Sequence, residues 1–212
     1  MTDWSLTCPS CPQPYAIGDG LFGCPAAGNG AEHILRRVLA AGSPTAGEVR
    51  ASWGRGGGTF ERLSPLISSR RLAGAAGYER ILERVAVELA RHEGRGFEVT
   101  PLAAAPALAA AIGRAGPLWV KDETGNVTGS HKGRHLMGTL LYLEALRRLD
   151  PARPRRALAI YSCGNAALAA AAVARAGGRE LHAFVPVEVD PVVERMLAAR
   201  GAIVEKIPRG AT

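Results

Sequence analysis

Along the C-terminal half of this chain, hydrophobic and polar positions fall into a regular succession of two periods. Residues 118–122, LWVKD, predict a short strand. Residues 131–149 place Leu136, Leu140 and Leu143 at helical spacing, with Arg147 and Arg148 near the negative end of the helix dipole and Asp150-Pro151 as a stop. The run ALAIY at 157–161 is wholly apolar, the pattern of a buried parallel strand. Residues 166–176 predict a small-residue helix closed by Gly177-Gly178, and LHAFVPV at 181–187 the next strand. Asp190 and Pro191 start another helix that Gly201 ends, and AIVEKI at 202–207 is a last strand. Strand and helix in alternation predict an α/β fold: a parallel sheet with flanking helices and right-handed crossovers.

The N-terminal half is less regular. Residues 1–30 are rich in Cys, Pro and Gly and read as a small loop-rich knuckle, followed by a short helix from Glu32 to Ala40. Residues 41–59 read as a linker, and the glycines at 56–58 as a flexible connector, because no strand precedes them. Residues 78–92 carry apolar positions at Ile81, Leu82, Val85, Val87 and Leu89, helical spacing with charge opposite. Residues 102–115 are alanine-rich and read as helix interrupted at Pro106. The expected organisation is a Cys-rich knuckle and short helix at 1–40, a linker at 41–77, and the N-terminal part of a larger α/β fold at 78–212.

Composition narrows the function. The net charge of +7 is carried by scattered arginines with only 5% aromatic residues, a pattern of solvated helix faces and not of a nucleic-acid binder. No apolar run approaches the roughly 20 residues needed to span a bilayer, and the N-terminus lacks the pattern of a signal peptide, so the expected location is the cytoplasm, with no membrane partner.

The cysteines are Cys8, Cys11, Cys24 and Cys163. Cys8 and Cys11 form C-x-x-C, Cys24 follows thirteen residues later, and the fourth Cys of a complete zinc pattern is missing. His33 completes a three-Cys, one-His set, so the knuckle either binds zinc or is a structural remnant without it. Cys163 reads as a small buried thiol.

Lysine is rare. The chain has three, against twenty-three arginines, and two of them, Lys121 and Lys132, lie within twelve residues. A lysine can act as an amine nucleophile where an arginine cannot. Ser130 reads as an N-cap, which sets Lys132 in the first turn of a helix, where the dipole disfavours a cation. Sequence physics leaves two readings open: a nucleophilic amine, or an exposed helix lysine beside a turn. A second candidate site is SCGNAALAAAA at 162–172, which follows the apolar strand and opens a helix. Gly164 permits a tight turn, and free amides at a helix start hold carboxylate or phosphate. Such a crevice at the carboxyl end of a parallel strand is where open α/β sheets bind ligands.

Together these segments resemble the fold-type II pyridoxal phosphate-dependent enzymes (tryptophan synthase β-like). KDETGNVTGSHKGR resembles the family's lysine motif, usually KDE…PTGSFKDR, and SCGNAALAAAAVARAG its substrate-binding SxGNxA loop and helix. VTPL at 99–102 looks like the family's TPL segment and GAIVEKI like a later sheet strand, so the resemblance covers about residues 97–208. The knuckle is similar to one that precedes this fold in some threonine synthases, the nearest match within the family.

The resemblance implies a lyase or β/γ-replacement enzyme acting on an amino acid. It implies pyridoxal phosphate carried by Lys132, which also serves as general base. Asn165 would hydrogen-bond the cofactor's ring oxygen, and Ser162, Gly164, Asn165 and Ala166 would hold the substrate carboxylate. Ser130 would support the lysine or the phosphate end, while Lys121 and Glu123 would be structural. The sequence departs from the motif at His131, where an aromatic is usual, at Gly133, where Asp is usual, and in the following RHLMG. His131 and His135 are four apart, a spacing also open to metal. The family's glycine-rich phosphate loop and its residue facing the pyridine nitrogen are not found, which predicts a fragment, a truncated product or one member of a split enzyme. The expected partners are therefore a homodimer mate or a complementary C-terminal chain, and the alternative function is a cofactor-incompetent fragment that works only with such a chain.

Overall fold

A computed structural model describes residues 4–27, 33–39, 44–54 and 56–208. The chain divides into two compact units, one of Met1–Glu83 with Leu141–Pro154, the other of Arg84–Leu140 with Arg155–Thr212. In chain order the strands and helices are β1 (Trp4–Cys8), β2 (Cys11–Ala16), β3 (Arg36–Leu39), α1 (Ala46–Gly54), α2 (Thr59–Arg62), α3 (Ser68–Ala73), α4 (Ala75–Glu93), β4 (Leu102–Ala104), α5 (Pro106–Ala111), β5 (Trp119–Lys121), α6 (Lys132–Leu149), β6 (Leu158–Tyr161), α7 (Asn165–Ala176), β7 (Leu181–Pro186), α8 (Pro191–Ala199) and β8 (Ile203–Ile207).

In the first unit, β2, β1 and β3 form an antiparallel sheet. Within the stretch expected as a helix from Glu32 to Ala40, residues 36–39 are instead strand β3, while Glu32 and Ala40 lie outside the described residues. The reason is non-local. Pairing with β1 sets Trp4 opposite Leu39, and the Arg37 guanidinium stacks 4.7 Å over the Trp4 ring. Trp4 packs with Ile17, Leu72, Ala145 and Leu146 in this unit's core. The Tyr142 hydroxyl donates to the Ile17 carbonyl at 2.6 Å, which satisfies the one polar atom of a half-buried ring. Within the stretch read as a linker, residues 46–54, 59–62 and 68–73 are helical. Thr45 and Glu48 form a capping box at the start of α1, with Glu48 accepting from the Thr45 amide at 2.7 Å and Thr45 Oγ1 accepting from the Glu48 amide at 3.2 Å.

The second unit holds the parallel sheet, in the order β6-β7-β8. One face is covered. Leu181, Ala183 and Val185 of β7 are buried with Ala167, Ala170, Ala171 and Ala174 of α7 and Leu197 of α8. Alanine on α7 allows close packing, and Gly177 completes it: a Cβ there would meet Leu140 Cδ1 at 2.7 Å. Helix α8 starts as expected, with Asp190 Oδ1 accepting from the Val192 amide at 2.7 Å. The apolar run expected to be a buried strand is corrected. β6 is an edge strand among the described residues, and Ala159 and Tyr161 are exposed on it. An apolar run is buried on both sides only when both sheet faces are covered, and here Tyr161, Phe184 and Ile203 share a face that α7 and α8 leave uncovered.

The alanine-rich segment is corrected too. Leu102–Ala104 is a strand paired antiparallel with β5, and only Pro106–Ala111 is helical. Cross-strand hydrogen bonding overrides alanine's helix propensity. The ladder leads directly into the lysine motif.

Candidate functional site

The approach to Lys132 is braced by charge. Glu123 accepts from Arg134 Nε at 2.8 Å, from Thr100 Oγ1 at 2.5 Å and from Asn126 Nδ2 at 3.1 Å. Burial opposes ionisation of Glu123, but the hydrogen bonds from Arg134 and Thr100 outweigh it and hold the carboxyl below the usual carboxylate range. Arg134 also donates to the Glu98 carbonyl at 2.8 Å, and Lys121 Nζ to the Thr100 carbonyl. Lys121 and Glu123 therefore tie β4 and β5 to the motif, as structural residues do.

Between this brace and α6 the backbone turns sharply. Thr128 has φ of 65° and Gly129 of 70°. Threonine in the left-handed region costs about 1–2 kcal/mol, and such strain concentrates at functional sites. The Thr128 Oγ1 and Asn126 Oδ1 atoms are buried without a hydrogen-bond partner among the described residues. Ser130 is buried, and its Oγ accepts from the Lys132 amide at 3.3 Å, so it caps the start of α6 from two residues before the helix. Lys132 is the first residue of that helix and its side chain is exposed.

Gly133, where the resembled motif has Asp, is filled from outside. A Cβ there would lie 3.1 Å from Phe97 Cε1 and 3.2 Å from Thr128 Oγ1. The Phe97 ring occupies the space an aspartate side chain would need. His131, in the turn before α6, and His135, within it, are both exposed.

The second motif is adjacent. Helix α7 packs against the 127–129 turn, Leu136 of α6 packs on the cluster that holds α7's alanines, and Leu140 lies against Gly177 at α7's far end. Ser162 Oγ accepts from the Gly164 amide at 3.4 Å. No side chain caps the start of α7, so its first amides remain available as donors. Asn165 is exposed at this end, and Ser162, Gly164 and Ala166 are half-buried. Cys163 is exposed, not the buried thiol expected, because it sits in the loop beyond β6 and not on the packed helix.

Sequence reasoning missed Phe97, Arg134 and the strain at Thr128. Only the last left a signal, since TGS before a helix marks a turn that needs unusual backbone angles.

The sequence profile of the family described as "Pyridoxal-phosphate dependent enzyme" matches residues 95–212. The chain belongs to that family. The matched span contains the brace, Lys132 and the 162–166 loop of this pyridoxal-phosphate dependent enzyme family member. Solved structures similar to it include a pyridoxal 5'-phosphate-dependent aspartate racemase (21% identity, 58% of this chain and 37% of that chain, TM-score 0.47). Maize serine racemase is similar at 21% identity (59% and 36%, TM-score 0.43), and serine racemase from Dictyostelium discoideum at 20% (60% and 39%, TM-score 0.45). The chain thus spans less than two-fifths of the length of these structures. Comparison with curated proteins finds no match.

The knuckle carries a separate cluster. Ligand atoms of Cys8, Cys11, Cys24 and His33 all lie within 4.8 Å of one another. Cys11 and Cys24 Sγ are 3.2 Å apart, and His33 Nδ1 lies 3.5 Å from Cys8 Sγ and 3.7 Å from Cys11 Sγ. Burial would raise the Cys24 thiol, but hydrogen bonds from Cys11, His33, the Ala26 backbone and Tyr15 bring it down to about 6. Cys11, hydrogen-bonded to Cys24, is pushed up to about 12. No helix among the described residues is long and apolar enough to cross a membrane.

Proposed function

We propose that this chain serves a pyridoxal phosphate-dependent lyase or β/γ-replacement reaction on an amino acid, of the threonine synthase kind, with Lys132 as its reactive residue. The observation that carries this reading is the packing of α7, whose start is uncapped, against the 127–129 turn that precedes Lys132. The residues present fit the cofactor: an exposed amine, free amides for an anion, and buried polar atoms at Thr128 and Asn126 that lack a partner.

When bound, pyridoxal phosphate supplies an electron sink for a carbanion at the substrate's α-carbon. Lys132 Nζ is the amine that would hold the group, and it would also be the base nearest the α-proton. Asn165 would donate to the ring oxygen. The amides of Asn165 and Ala166, with Ser162 and Gly164 shaping the turn, hold the substrate carboxylate. Ser130 fixes the helix start from which Lys132 projects. The unpaired thiols support a reducing compartment, the cytoplasm.

The test is to add pyridoxal phosphate, reduce with borohydride and map the modified lysine. Label on Lys132, absent from Lys132→Ala, is the expected result. Label on Lys121 or Lys206 overturns the assignment. The alternative, a fragment competent only with a partner chain, is favoured if cofactor is taken up only after a complementary chain is added.

For the knuckle we propose zinc. Tetrahedral Zn–S bonds of about 2.3 Å set sulfurs roughly 3.8 Å apart, a spacing close to that of the cluster. Metal analysis of the purified chain tests it, with about one zinc per chain expected and none in Cys24→Ser.

A further inference from the structure

A cavity of about 200 Å³ lies within the first unit, and none of the site residues assigned above lines it. Its wall includes Arg70, Glu61, Glu79, Ser64, Tyr78 and Leu82. The sequence offered only the glycines at 56–58 here. Two of them, Gly56 and Gly57, line the cavity with φ of 76° and 82°, and a Cβ on Gly57 would crowd Glu61 Cβ at 3.0 Å. The turn therefore forms part of the wall, close beside Glu61.

The charges on that wall are of both signs, yet they do not satisfy one another. The side chains of Arg70, Glu61 and Glu79 have no hydrogen bond or ion pair among the described residues. Arg70 and Glu61 nonetheless both act on the Tyr78 hydroxyl. Burial first, then Glu61, pushes that phenol up, and Arg70 opposes them. The hydroxyl itself is committed, donating to the Phe60 carbonyl at 2.9 Å. Opposite charges that share a cavity without pairing leave room for a ligand that pairs with each.

A simple anion would meet Arg70 but also two carboxylates, and a simple cation would meet the carboxylates but also Arg70. A molecule with both signs meets all three. A guanidinium matches a carboxylate in two-point geometry, and an ammonium donates to carboxylates. The volume is below the about 300–1,000 Å³ typical of pockets for drug-sized ligands, which selects a small molecule. Leu82 and the Tyr78 ring offer a short apolar wall for a side chain.

We propose that this cavity binds a free α-amino acid as a zwitterion, its carboxylate on Arg70 and its ammonium between Glu61 and Glu79. The site shares no residue with the Lys132 site and does not rest on the reaction proposed there. It would give this chain a second amino-acid site, suited to sensing the pool on which the reaction draws.

The experiment is titration calorimetry on the full chain without pyridoxal phosphate, in a Lys132→Ala background, with L-serine and L-valine as probes. Isobutyrate and isobutylamine serve as controls that each lack one charge. Saturable binding of at least one amino acid, weakened tenfold or more in both Arg70→Gln and Glu79→Gln, is expected, with neither control binding. Glu79 is exposed on a helix, so its variant folds even if Arg70→Gln does not. Three results each overturn the proposal: no saturable binding, binding unchanged in Glu79→Gln, or isobutyrate binding as tightly as the amino acids. Binding that occurs only with Lys132 intact also overturns it, and supports the Lys132 site instead. Failure of borohydride labelling at Lys132 leaves this cavity untouched, so the two readings fail separately.

Discussion

The lysine motif and the cysteine knuckle are both clusters of chemically active side chains, but they are held in different ways. Around Lys132 the protein supplies its own partners. Glu123 is hydrogen-bonded by Arg134, Thr100 and Asn126, and Arg134 is tied in turn to the Glu98 carbonyl. In the knuckle the four donors have mainly each other, at 3.2–3.7 Å, and opposite demands on their protons: Cys24 held near 6 and Cys11 near 12. A site braced by its own hydrogen bonds keeps its shape before a ligand arrives. One made only of ligand atoms keeps its shape through the ion it binds.

The sharpest way to break this contrast is chelation. Removing metal should strip about one zinc per chain and open the strands β1–β3 to proteolysis, while residues 95–140 and 155–208 keep their protection. Limited proteolysis followed by mass spectrometry checks both halves. Equal protection of the knuckle with and without chelator would show that it needs no ion. Affinity should also fall with acid, since thiols must lose their protons to bind.

The brace around Glu123 predicts the opposite kind of sensitivity. Glu123→Gln should leave metal content unchanged and destabilise the second unit by about 1–2 kcal/mol, between the cost of an exposed and of a buried ion pair, since Glu123 is 16% exposed. Its carboxyl titrates below the unfolded value of 4.5 in the folded chain. Its contribution is therefore complete above about pH 4.5 and is lost as pH falls through the lower folded value. Urea melts of wild type and variant should diverge at neutral pH and converge in strong acid.

These two regions also mark where the sequence was legible. From Trp119 to Ile207 each predicted element is present, and from Leu158 on the helix and strand periods are set by packing on one sheet. Short elements with distant partners were not legible. β3 owes its form to β1, some 30 residues earlier, and β4 to β5. Helices α1 to α3 carry Gly, Ser and Arg at positions a packed helix would fill with Leu, so no apolar stripe announces them. Exposure was misread for Tyr161 and Cys163 because a sequence shows which residues are apolar or small, not which faces are covered. The cavity at Arg70 left no mark beyond three glycines, since unpaired charge is a property of spacing in the fold.

Gly133 sharpens the comparison from within the lysine motif. If the site is shaped by its own packing, restoring the aspartate usual in this motif should harm it. Gly133→Asp would drive a Cβ to about 3.1 Å from the Phe97 ring and 3.2 Å from Thr128 Oγ1. We expect a loss of about 1–3 kcal/mol, the cost of overpacking a filled site. Phe97→Ala should relieve most of that loss in the double variant, so the two changes are non-additive. Additive losses would show that Phe97 does not occupy the missing aspartate's place.

The smallest effect is expected at His182, a third kind of cluster with neither an ion nor a deep core. Its Nδ1 lies 2.5 Å from Glu205 and its Nε2 3.1 Å from Glu180, across β7 and β8 on the sheet's open face. Hydrogen bonds to Glu205 and then Glu180 raise its titration above 6.5 against the opposing effect of burial. A raised value means that protonated His182 favours the folded chain below pH 6.5, and that this preference fades as pH rises through the folded value. Solvent and salt reach the pair, so the stability change should be near the limit of detection. The titration itself is measurable. An NMR pH series should give a midpoint above 6.5 that falls in Glu205→Gln by more than in Glu180→Gln, because Glu205 is the closer partner. A midpoint unmoved by either variant would mean that proximity alone does not organise a cluster, and that the brace around Glu123 works through its burial as much as through its hydrogen bonds.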